Sequence, residues 1–178
     1  MFYLCNYSSP MGLITLASQQ NKLVGAWIEG EKYFGHTINK QTEQNPNLPI
    51  FNSTKKWLDD YFSGKKPNLY QLELAPIGTP FRLLVWEILC KIPYGKVITY
   101  GDIAKQIALK TNKISMSSQA VGGAVGHNPI SIIIPCHRVI GTNGNLTGYA
   151  GGIDKKIKLL QHEGIDTTPF FVPKNERI

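Results

Sequence analysis

The sequence predicts an α/β (α+β) protein in which a small β-sheet with one helix comes first and a mostly helical half follows. Strand-length apolar runs, separated by turn residues, fill the start of the chain. In the second half, apolar residues recur at helical spacing instead. The charge changes at the same point, because residues 1–78 carry 7 basic and 6 acidic side chains while residues 79–178 carry 12 and 6. We therefore expect one domain over 1–77, a second over 78–165 and a tail over 166–178.

Composition limits the classes of function. The chain has 178 residues, and a hydrophobic fraction of 42% with 17% charged residues is typical of a globular protein. Its apolar runs are far shorter than the ~20 residues of a membrane span, and no signal peptide is recognisable. Three scattered cysteines without a Cys-x-x-Cys motif favour a reducing, cytoplasmic setting. The net charge of +7 favours a polyanion such as nucleic acid as the partner, or serves solubility alone.

The N-terminal domain is expected to hold an antiparallel meander of three strands, because turn-forming residues separate three apolar runs. These runs are Phe2–Tyr7, Leu13–Ala17 and Leu23–Ile28. Residues 39–49 are polar, contain two prolines and predict a loop. The capping residues Asn52 and Ser53 predict the start of a helix that ends near Gly64. One more short strand is expected between Pro67 and Pro76.

The C-terminal domain opens with a helix whose start is clearly marked. Thr79 is a good N-cap, Pro80 suits the first helical position, and the helix should stop before Pro93. Thr99 begins a second helix with a capping-box pattern, and Ser117–Val125 predicts a third helix of small residues. Two short helices joined by a turn suggest a helix-turn-helix DNA-binding element, although such pairs also occur in ordinary cores.

The last third of the chain combines an apolar run, a loop and a helix. Ile130–Ile134 is apolar and β-branched, and the glycine-rich stretch over 141–152 predicts a loop. Apolar residues at helical spacing predict a final helix over Ile153–His162. The tail from Asp166 is expected to be loosely held, with Phe170–Val172 as the part that packs.

Cys136 is the strongest candidate for chemistry. It lies directly before His137 and Arg138, and a neighbouring cation or imidazolium favours the thiolate, which is the nucleophilic form of cysteine. A small core residue is the alternative interpretation. Cys5 and Cys90 lie in a strand-like run and an amphipathic helix and are expected to be structural. Adjacent Cys and His do not supply two ligands of one zinc tetrahedron in the usual spacing, so no metal site is expected here.

The segment Ile134–Gly141, with the sequence IPCHRVIG, closely resembles the active-site signature of the O6-alkylguanine-DNA alkyltransferases, also called methylated-DNA–protein-cysteine methyltransferases. Further segments resemble this family in the same order across residues 78–164: Gly78–Phe81, Val85–Trp86, Ile92–Gly95, Thr99–Gly101, Ala120–Ala124, Asn128–Pro129, Gly148–Gly152 and Glu163–Gly164. The resemblance implies a ribonuclease-H-like N-terminal domain. It also implies a winged-helix-like, helix-turn-helix C-terminal domain that carries the active-site cysteine.

The resemblance implies DNA repair by direct reversal. Such a protein flips the damaged base out of duplex DNA and moves the alkyl group from O6-alkylguanine, or from O4-alkylthymine, irreversibly to its own cysteine. Each molecule acts once, and no cofactor is expected. Cys136 matches the acceptor, His137 the base that acts through a water, and Glu163 the carboxylate that orients the imidazole. Tyr100 matches the proton donor to the leaving purine, and Asn128 the side chain that holds the turn before the active-site loop.

The same resemblance assigns a substrate pocket and a DNA-binding surface. The pocket residues are Val125, Val139, Tyr149 and Ala150. The residues expected to contact duplex DNA, through its minor groove, are Gln119, Thr99, Ala120, Gly122, Gly123 and Arg138. Gln119 is a departure, because the family usually has an arginine there that replaces the flipped base in the stack. The stretch over 105–113, a few residues longer than in many relatives, holds three lysines that either contact phosphates or form a solvated loop.

Other functions stay open at this point. Non-enzymatic lesion-binding relatives keep the fold but lack the acceptor cysteine, so Cys136 argues against that class. A thiol hydrolase would need an oxyanion hole, which the sequence does not show. A plain DNA-binding regulator would bind without processing a lesion. Some relatives bind zinc in the N-terminal domain, but only Cys5 occupies a comparable place here, so no metal is expected. The protein is expected to act as a monomer without a membrane partner.

Overall fold

A computed structural model of the protein describes residues 1–38 and 41–173. Within these residues the architecture is mixed α/β, with a sheet-containing unit and a mainly helical unit, and this confirms the fold class that the sequence predicts. The predicted loop over 39–49 and the predicted tail over 166–178 are each described only in part, because residues 39, 40 and 174–178 lie outside the described residues.

The chain divides into two compact units. The first consists of Met1–Gly78 together with Pro129–Ile133, and the second of Thr79–Asn128 and the residues from Ile134 onward. The junction after Gly78 coincides with the capped helix start and the change in charge that mark it in the sequence. The second unit is not one continuous stretch, however, because Pro129–Ile133 is bonded to the sheet of the first unit.

The first unit is built on a four-stranded sheet in the order β3-β2-β1-β4. The first three strands, β1 (Phe2–Ser9), β2 (Gly12–Gln19) and β3 (Lys22–Ile28), pair antiparallel as the predicted meander. The predicted loop contains a further short strand, β4 (Thr42–Gln44), which pairs parallel to β1. Its three residues are polar and exposed at the sheet edge, so no hydrophobic alternation marked it in the sequence.

The helix of the first unit, α1, spans Pro49–Phe62 and packs against the sheet. It begins three residues before the predicted cap at Asn52, with Leu48 as an N-cap that makes no side-chain hydrogen bond. Asn21 from the β2–β3 turn accepts a hydrogen bond from the backbone N–H of Ile50 at 3.3 Å instead. A distant side chain therefore satisfies the helix start, and a local capping pattern could not reveal it.

The region expected to hold one more strand forms a turn of 3-10 helix over Leu69–Gln71. Beyond it, Leu74 makes an isolated parallel bridge to Leu23. Leu23 belongs to β3, and Ala26 of the same strand bonds to a later segment of the chain. The backbone N–H of Ala26 donates to Pro129 O and that of Ser131 donates to Ala26 O, both at 2.8 Å. The returning segment over 129–133 is therefore anchored to β3 by its backbone.

The second unit contains four helices within the described residues. They are α2 (Pro80–Leu89), α3 (Tyr100–Lys110), α4 (Ser118–Gly126) and α5 (Ile153–His162). Two short strands, β5 (Ile98–Thr99) and β6 (Val139–Ile140), pair parallel, and a turn of 3-10 helix over Cys136–Arg138 leads into β6. The helices α3 and α4 pack together as the predicted helix-turn-helix pair, and α2 packs against both.

Side-chain caps fix the starts of α2, α3 and α4. Thr79, Thr99 and Ser117 each accept a hydrogen bond from the backbone N–H three residues ahead. The expected capping box at Thr99 is present, because the Thr99 hydroxyl accepts from the backbone N–H of Asp102 at 3.1 Å and the Asp102 carboxylate accepts from the backbone N–H of Thr99. The carboxylate also accepts a hydrogen bond from the Thr99 hydroxyl at 2.6 Å. The Asp side chain is one methylene shorter than the Glu of a usual capping box.

The described part of the tail is attached to the second unit. The backbone N–H of Leu146 donates to Phe171 O at 2.8 Å, and the side chains of Phe170 and Val172 pack with Ile140 and Leu160. The expected packing of Phe170–Val172 is therefore confirmed. No helix in the described ranges is long and apolar enough to cross a membrane.

Candidate active site

Cys136 lies in the short 3-10 turn before β6, and its side chain is buried. Asn128, just past the end of α4, points its amide at this turn. Its Nδ2 donates to Ile134 O at 2.8 Å and to the Cys136 sulfur at 3.1 Å. Because a carbonyl oxygen only accepts, the bond to Ile134 fixes which end of the amide faces the sulfur. A donor aimed at the sulfur stabilises negative charge on it.

His137 and Glu163 form a buried hydrogen-bonded pair. His137 Nε2 and Glu163 Oε1 are 2.6 Å apart, and neither side chain is exposed to solvent. A carboxylate accepts this bond, so Nε2 carries the proton and Nδ1 keeps the lone pair. Nδ1 is itself buried and has no hydrogen-bond partner among the described residues. The pair therefore presents an oriented imidazole whose second nitrogen is available as a base.

The Glu163 carboxylate accepts hydrogen bonds from four donors. Oε1 accepts from His137 Nε2 and from Arg138 Nη2 at 3.0 Å. Oε2 accepts from Arg138 Nε at 2.8 Å and from the backbone N–H of Gly95 at 3.0 Å. Gly95 has a φ of +72°, and a Cβ there would lie 3.1 Å from the Glu163 carbonyl oxygen, so this position requires glycine. The carboxylate has no freedom to rotate away from His137.

The electrostatics of this cluster keep Glu163 ionised and His137 neutral. Burial works to raise the pKa of Glu163, but the hydrogen bonds from His137 and Arg138 and the charge of Arg138 outweigh it and hold that pKa well below its usual range. Burial also lowers the pKa of His137, and the positive charges of Arg138 and Lys156 lower it further against the opposing effect of Glu163. A neutral imidazole is the form that accepts a proton from a thiol.

Arg138 does not occupy the DNA-facing position that the resemblance implied. Its side chain is buried, with 7% relative exposure. Besides its two bonds to Glu163, its Nη1 donates to Ile92 O at 2.6 Å, and the guanidinium lies over the ring of Tyr94 at 5.7 Å. A guanidinium held by these partners is not free to bind phosphate, so the assignment of Arg138 to the DNA-binding set is corrected here.

Tyr100, the first residue of α3, belongs to a second set of contacts. Its hydroxyl donates to Thr147 O at 3.0 Å and lies 3.4 Å from Gly148 O. Gly148 has a φ of +73°, and a Cβ there would lie 3.0 Å from the Tyr100 hydroxyl. The close approach of this loop to the phenol therefore depends on glycine.

Lys156 is a buried residue of this region that sequence reasoning missed. Its side chain is fully buried, its Nζ donates to Thr147 O at 2.9 Å, and it lies 6.0 Å from the Tyr100 ring centroid. A signal for it exists in the sequence, because Lys156 precedes the buried Leu159 and Leu160 by three and four residues and so shares their face of α5. A lysine on an apolar helix face predicts a buried amine with a specific partner.

The expected DNA-facing residues on α4 are largely accessible. Gln119, Ala120 and Gly123 are exposed, and Gly122 is half-buried with its Cα facing the ring of Tyr100. Thr99 is the half-buried N-cap of α3. Small residues along one helix face let a groove wall approach the backbone closely.

Two of the three lysines in residues 105–113 lie in α3 and have acidic partners. Lys105 is 3.6 Å from Asp102, and Lys110 is 3.0 Å from Glu87. Lys113 is exposed. The expected pocket residues Val125, Val139 and Tyr149 are buried, and Ala150 is half-buried.

The structure thus brings together four of the five expected catalytic side chains as two hydrogen-bonded pairs, Asn128 with Cys136 and His137 with Glu163. Tyr100 makes its hydrogen bonds to the loop backbone instead. Within residues 1–38 and 41–173, no group of three or more His, Cys, Asp or Glu side chains is arranged to hold a metal ion.

Comparison with known families gives a match to each half of the chain. The model described as "6-O-methylguanine DNA methyltransferase, DNA binding domain" matches residues 80–165. The model described as "6-O-methylguanine DNA methyltransferase, ribonuclease-like domain" matches residues 3–76. The two matches meet where the capped start of α2 divides the chain.

Several relatives are similar over nearly their whole length. A methylated-DNA–protein-cysteine methyltransferase of Methanosarcina acetivorans is 42% identical over 91% of this chain and 98% of its own. One of Haemophilus influenzae is 38% identical over 92% of this chain and 87% of its own. Among solved structures, Mycobacterium tuberculosis OGT in complex with DNA is 38% identical with a TM-score of 0.80, over 91% of this chain and 93% of that chain.

Proposed function

This chain belongs to the 6-O-methylguanine DNA methyltransferase family, and on that premise we propose that it repairs DNA by moving an alkyl group from guanine O6 to Cys136. The transfer is irreversible, because the product is a thioether and the site holds no group that would cleave it. Each molecule therefore acts once. O4-alkylthymine is a second expected substrate, because its alkyl group is bonded to the same kind of exocyclic oxygen.

The observation that carries this proposal is the arrangement around Cys136. A buried sulfur receives a hydrogen bond from Asn128, and the next residue is an imidazole oriented by a fully bonded carboxylate. Nucleophile, base and orienting carboxylate are the parts that cysteine-based catalysis requires. A regulator that only binds DNA would not need a buried His137–Glu163 pair beside a thiol.

The proposed chemistry balances in protons and electrons. His137 Nδ1 takes the Cys136 thiol proton through a water, and the thiolate attacks the alkyl carbon in line with the bond to O6. A carbon–sulfur bond forms as the carbon–oxygen bond breaks, and the electron pair stays on guanine. Tyr100 donates a proton to the departing purine. His137 has then gained one proton and Tyr100 has lost one, so the protein ends with no net change of charge.

The proposed partner is duplex DNA that contains O6-alkylguanine. The target carbon is hidden in stacked DNA, so the base must be flipped into the protein. The exposed small residues Ala120 and Gly123 support minor-groove binding by α4, and the excess of basic residues over 79–178 supports attraction to phosphates. One chain supplies every proposed catalytic group, which supports action as a monomer, and the three free cysteines support a reducing compartment such as the cytoplasm.

The experiment that separates transfer from binding uses Cys136→Ser. The serine is nearly isosteric and keeps the Asn128 contact, but it is far less nucleophilic than a thiolate. We expect the variant to bind duplex DNA with one O6-methylguanine as wild type does, and to remove no methyl group. Cys90→Ser is the matched control, because it deletes a thiol that has no place in the mechanism, and it should transfer normally. Removal of the lesion by Cys136→Ser would refute the proposal.

A further inference from the structure

The side chain of Arg138 is bonded within the candidate active site, whereas a side chain that contacts DNA would be exposed at the surface. Its Nε and Nη2 bind the two oxygens of Glu163 at 2.8 and 3.0 Å. Its Nη1 binds Ile92 O at 2.6 Å, and its guanidinium lies over the Tyr94 ring. The guanidinium therefore binds the backbone carbonyl of Ile92 with one nitrogen and the carboxylate of Glu163 with the other two.

The two hydrogen bonds from Arg138 to Glu163 also affect the geometry of His137. A guanidinium that binds a carboxylate with two parallel hydrogen bonds fixes the plane of that carboxylate as well as its position. Oε1 of Glu163, which Arg138 holds, is the same atom that accepts from His137 Nε2. The orientation of the imidazole therefore depends indirectly on Arg138, through Glu163.

We propose that Arg138 is a positioning residue for alkyl transfer, which fixes Glu163 and through it the ring of His137, and that it is not a DNA contact. The inference rests on the proposed function, because it concerns the same reaction. It also explains why Arg138 is buried although the signature that contains it lies in a DNA-binding domain.

The charge of Arg138 has a second consequence. The charged groups that face His137 are Glu163 and Lys156 from the α5 region and Arg138 on its own segment. Tyr94 faces the Glu163–Arg138 pair from the other side. Arg138 neutralises Glu163, so the imidazole does not sit beside an uncompensated negative charge. Without Arg138, the carboxylate would favour the protonated imidazole, which cannot accept the thiol proton.

The test compares Arg138→Lys and Arg138→Gln with Arg82→Gln, a control on α2 that makes no hydrogen bond to Glu163. Single-turnover methyl transfer is followed over a range of pH, and the DNA dissociation constant is measured over a range of salt. We expect Arg138→Gln to slow transfer by about 10- to 100-fold at neutral pH and to move the acid limb of the pH profile to higher pH. Arg138→Lys keeps the positive charge but cannot make both hydrogen bonds to Glu163. Its methyl transfer should therefore also be slowed, but the acid limb of its pH profile should move less.

DNA binding distinguishes positioning from a phosphate contact. We expect the DNA affinity and its salt dependence to stay at wild-type values in both variants. A phosphate contact would instead weaken binding and reduce the salt slope by about 1, and that result would overturn the proposal. So would wild-type transfer rates with a wild-type pH profile. If Arg138→Gln does not fold, as judged by thermal unfolding, Arg138→Lys decides between these outcomes.

A second readout separates this inference from the proposed function. The rate at which iodoacetamide modifies Cys136 in the absence of DNA, mapped by peptide mass, is measured over the same pH range. We expect Arg138→Gln to displace this profile as well, even if wild-type protein should fail to take a methyl group from DNA. An undisplaced profile would overturn the role of Arg138 alone.

Discussion

At the scale of single residues, the site depends on a few buried polar groups with complete hydrogen bonding. The types and order of Cys136, His137 and Glu163 could be recognised in the sequence. The partners of Arg138 could not, because its contacts with Ile92 and Tyr94 bridge more than 40 positions of the chain. A charged side chain next to a nucleophile predicts a DNA contact, whereas the structure buries Arg138 against Glu163.

Asn128 offers the first prediction at this scale. Asn128→Ala removes both bonds from Nδ2, so the buried carbonyl of Ile134 keeps only the backbone N–H of Cys136 as a donor and the sulfur loses its amide donor. We expect a loss of about 1–3 kcal/mol in the free energy of unfolding and a slower methyl transfer. Urea unfolding and single-turnover kinetics measure the two effects, with Asn52→Ala on the exposed face of α1 as control. An unchanged transfer rate would remove Asn128 from the site.

Tyr100 offers a second prediction. Tyr100→Phe keeps the ring but removes the proton donor to the leaving purine, so transfer should slow by about 100-fold while DNA binding is retained. Tyr70→Phe is the matched control, since Tyr70 is 69% exposed in the first unit. If Tyr100→Phe transfers at the wild-type rate, another group protonates the purine.

A third prediction concerns the pH dependence of the free energy of unfolding. The pKa of buried His137 lies below its ordinary value of 6.5, so the unfolded chain takes up a proton where the folded chain does not. The free energy of unfolding should therefore fall as pH drops below 6.5, and the depressed pKa of Glu163 should extend the loss below 4.5. Urea midpoints over a pH series measure this. His137→Asn should lack the first part of the loss, and His162→Gln should retain it.

At the scale of elements, local signals were sufficient where the interaction is local. The hydroxyls of Thr79 and Thr99 cap helices that begin where the sequence predicts. The start of α1 was misplaced because Asn21, 29 positions away, accepts its backbone N–H. The edge strand β4 was missed because its residues are polar, and Lys156 was missed although it shares the buried face of α5.

The helix α4 carries the prediction at this scale. Gln119 is exposed in its first turn, at the position where the resemblance implies an arginine. Gln119→Arg should tighten lesion binding or speed transfer, because a longer, charged side chain fills the gap left by a flipped base more fully. Gln106→Arg on α3 controls for the added charge, and binding and kinetics are measured together. Equal effects of the two substitutions would show that charge alone acts and that another residue fills the gap.

At the scale of the whole molecule, the sequence identified two units and the basic character of the second, but not how the chain divides between them. The segment Pro129–Ile133 bonds to β3 of the first unit, although the residues on both sides of it belong to the second. Such a return of the chain has no local signature, because an apolar run looks the same whichever partner covers it.

Transfer of an alkyl group from DNA to Cys136 can be measured by intact mass after incubation with a duplex oligonucleotide that holds one O6-methylguanine. We expect a gain of one methylene mass per protein molecule that saturates at one and maps to the peptide containing Cys136. Bound lesion without any gain in mass, or a gain that maps to Cys5 or Cys90, would show that Cys136 is not the alkyl acceptor.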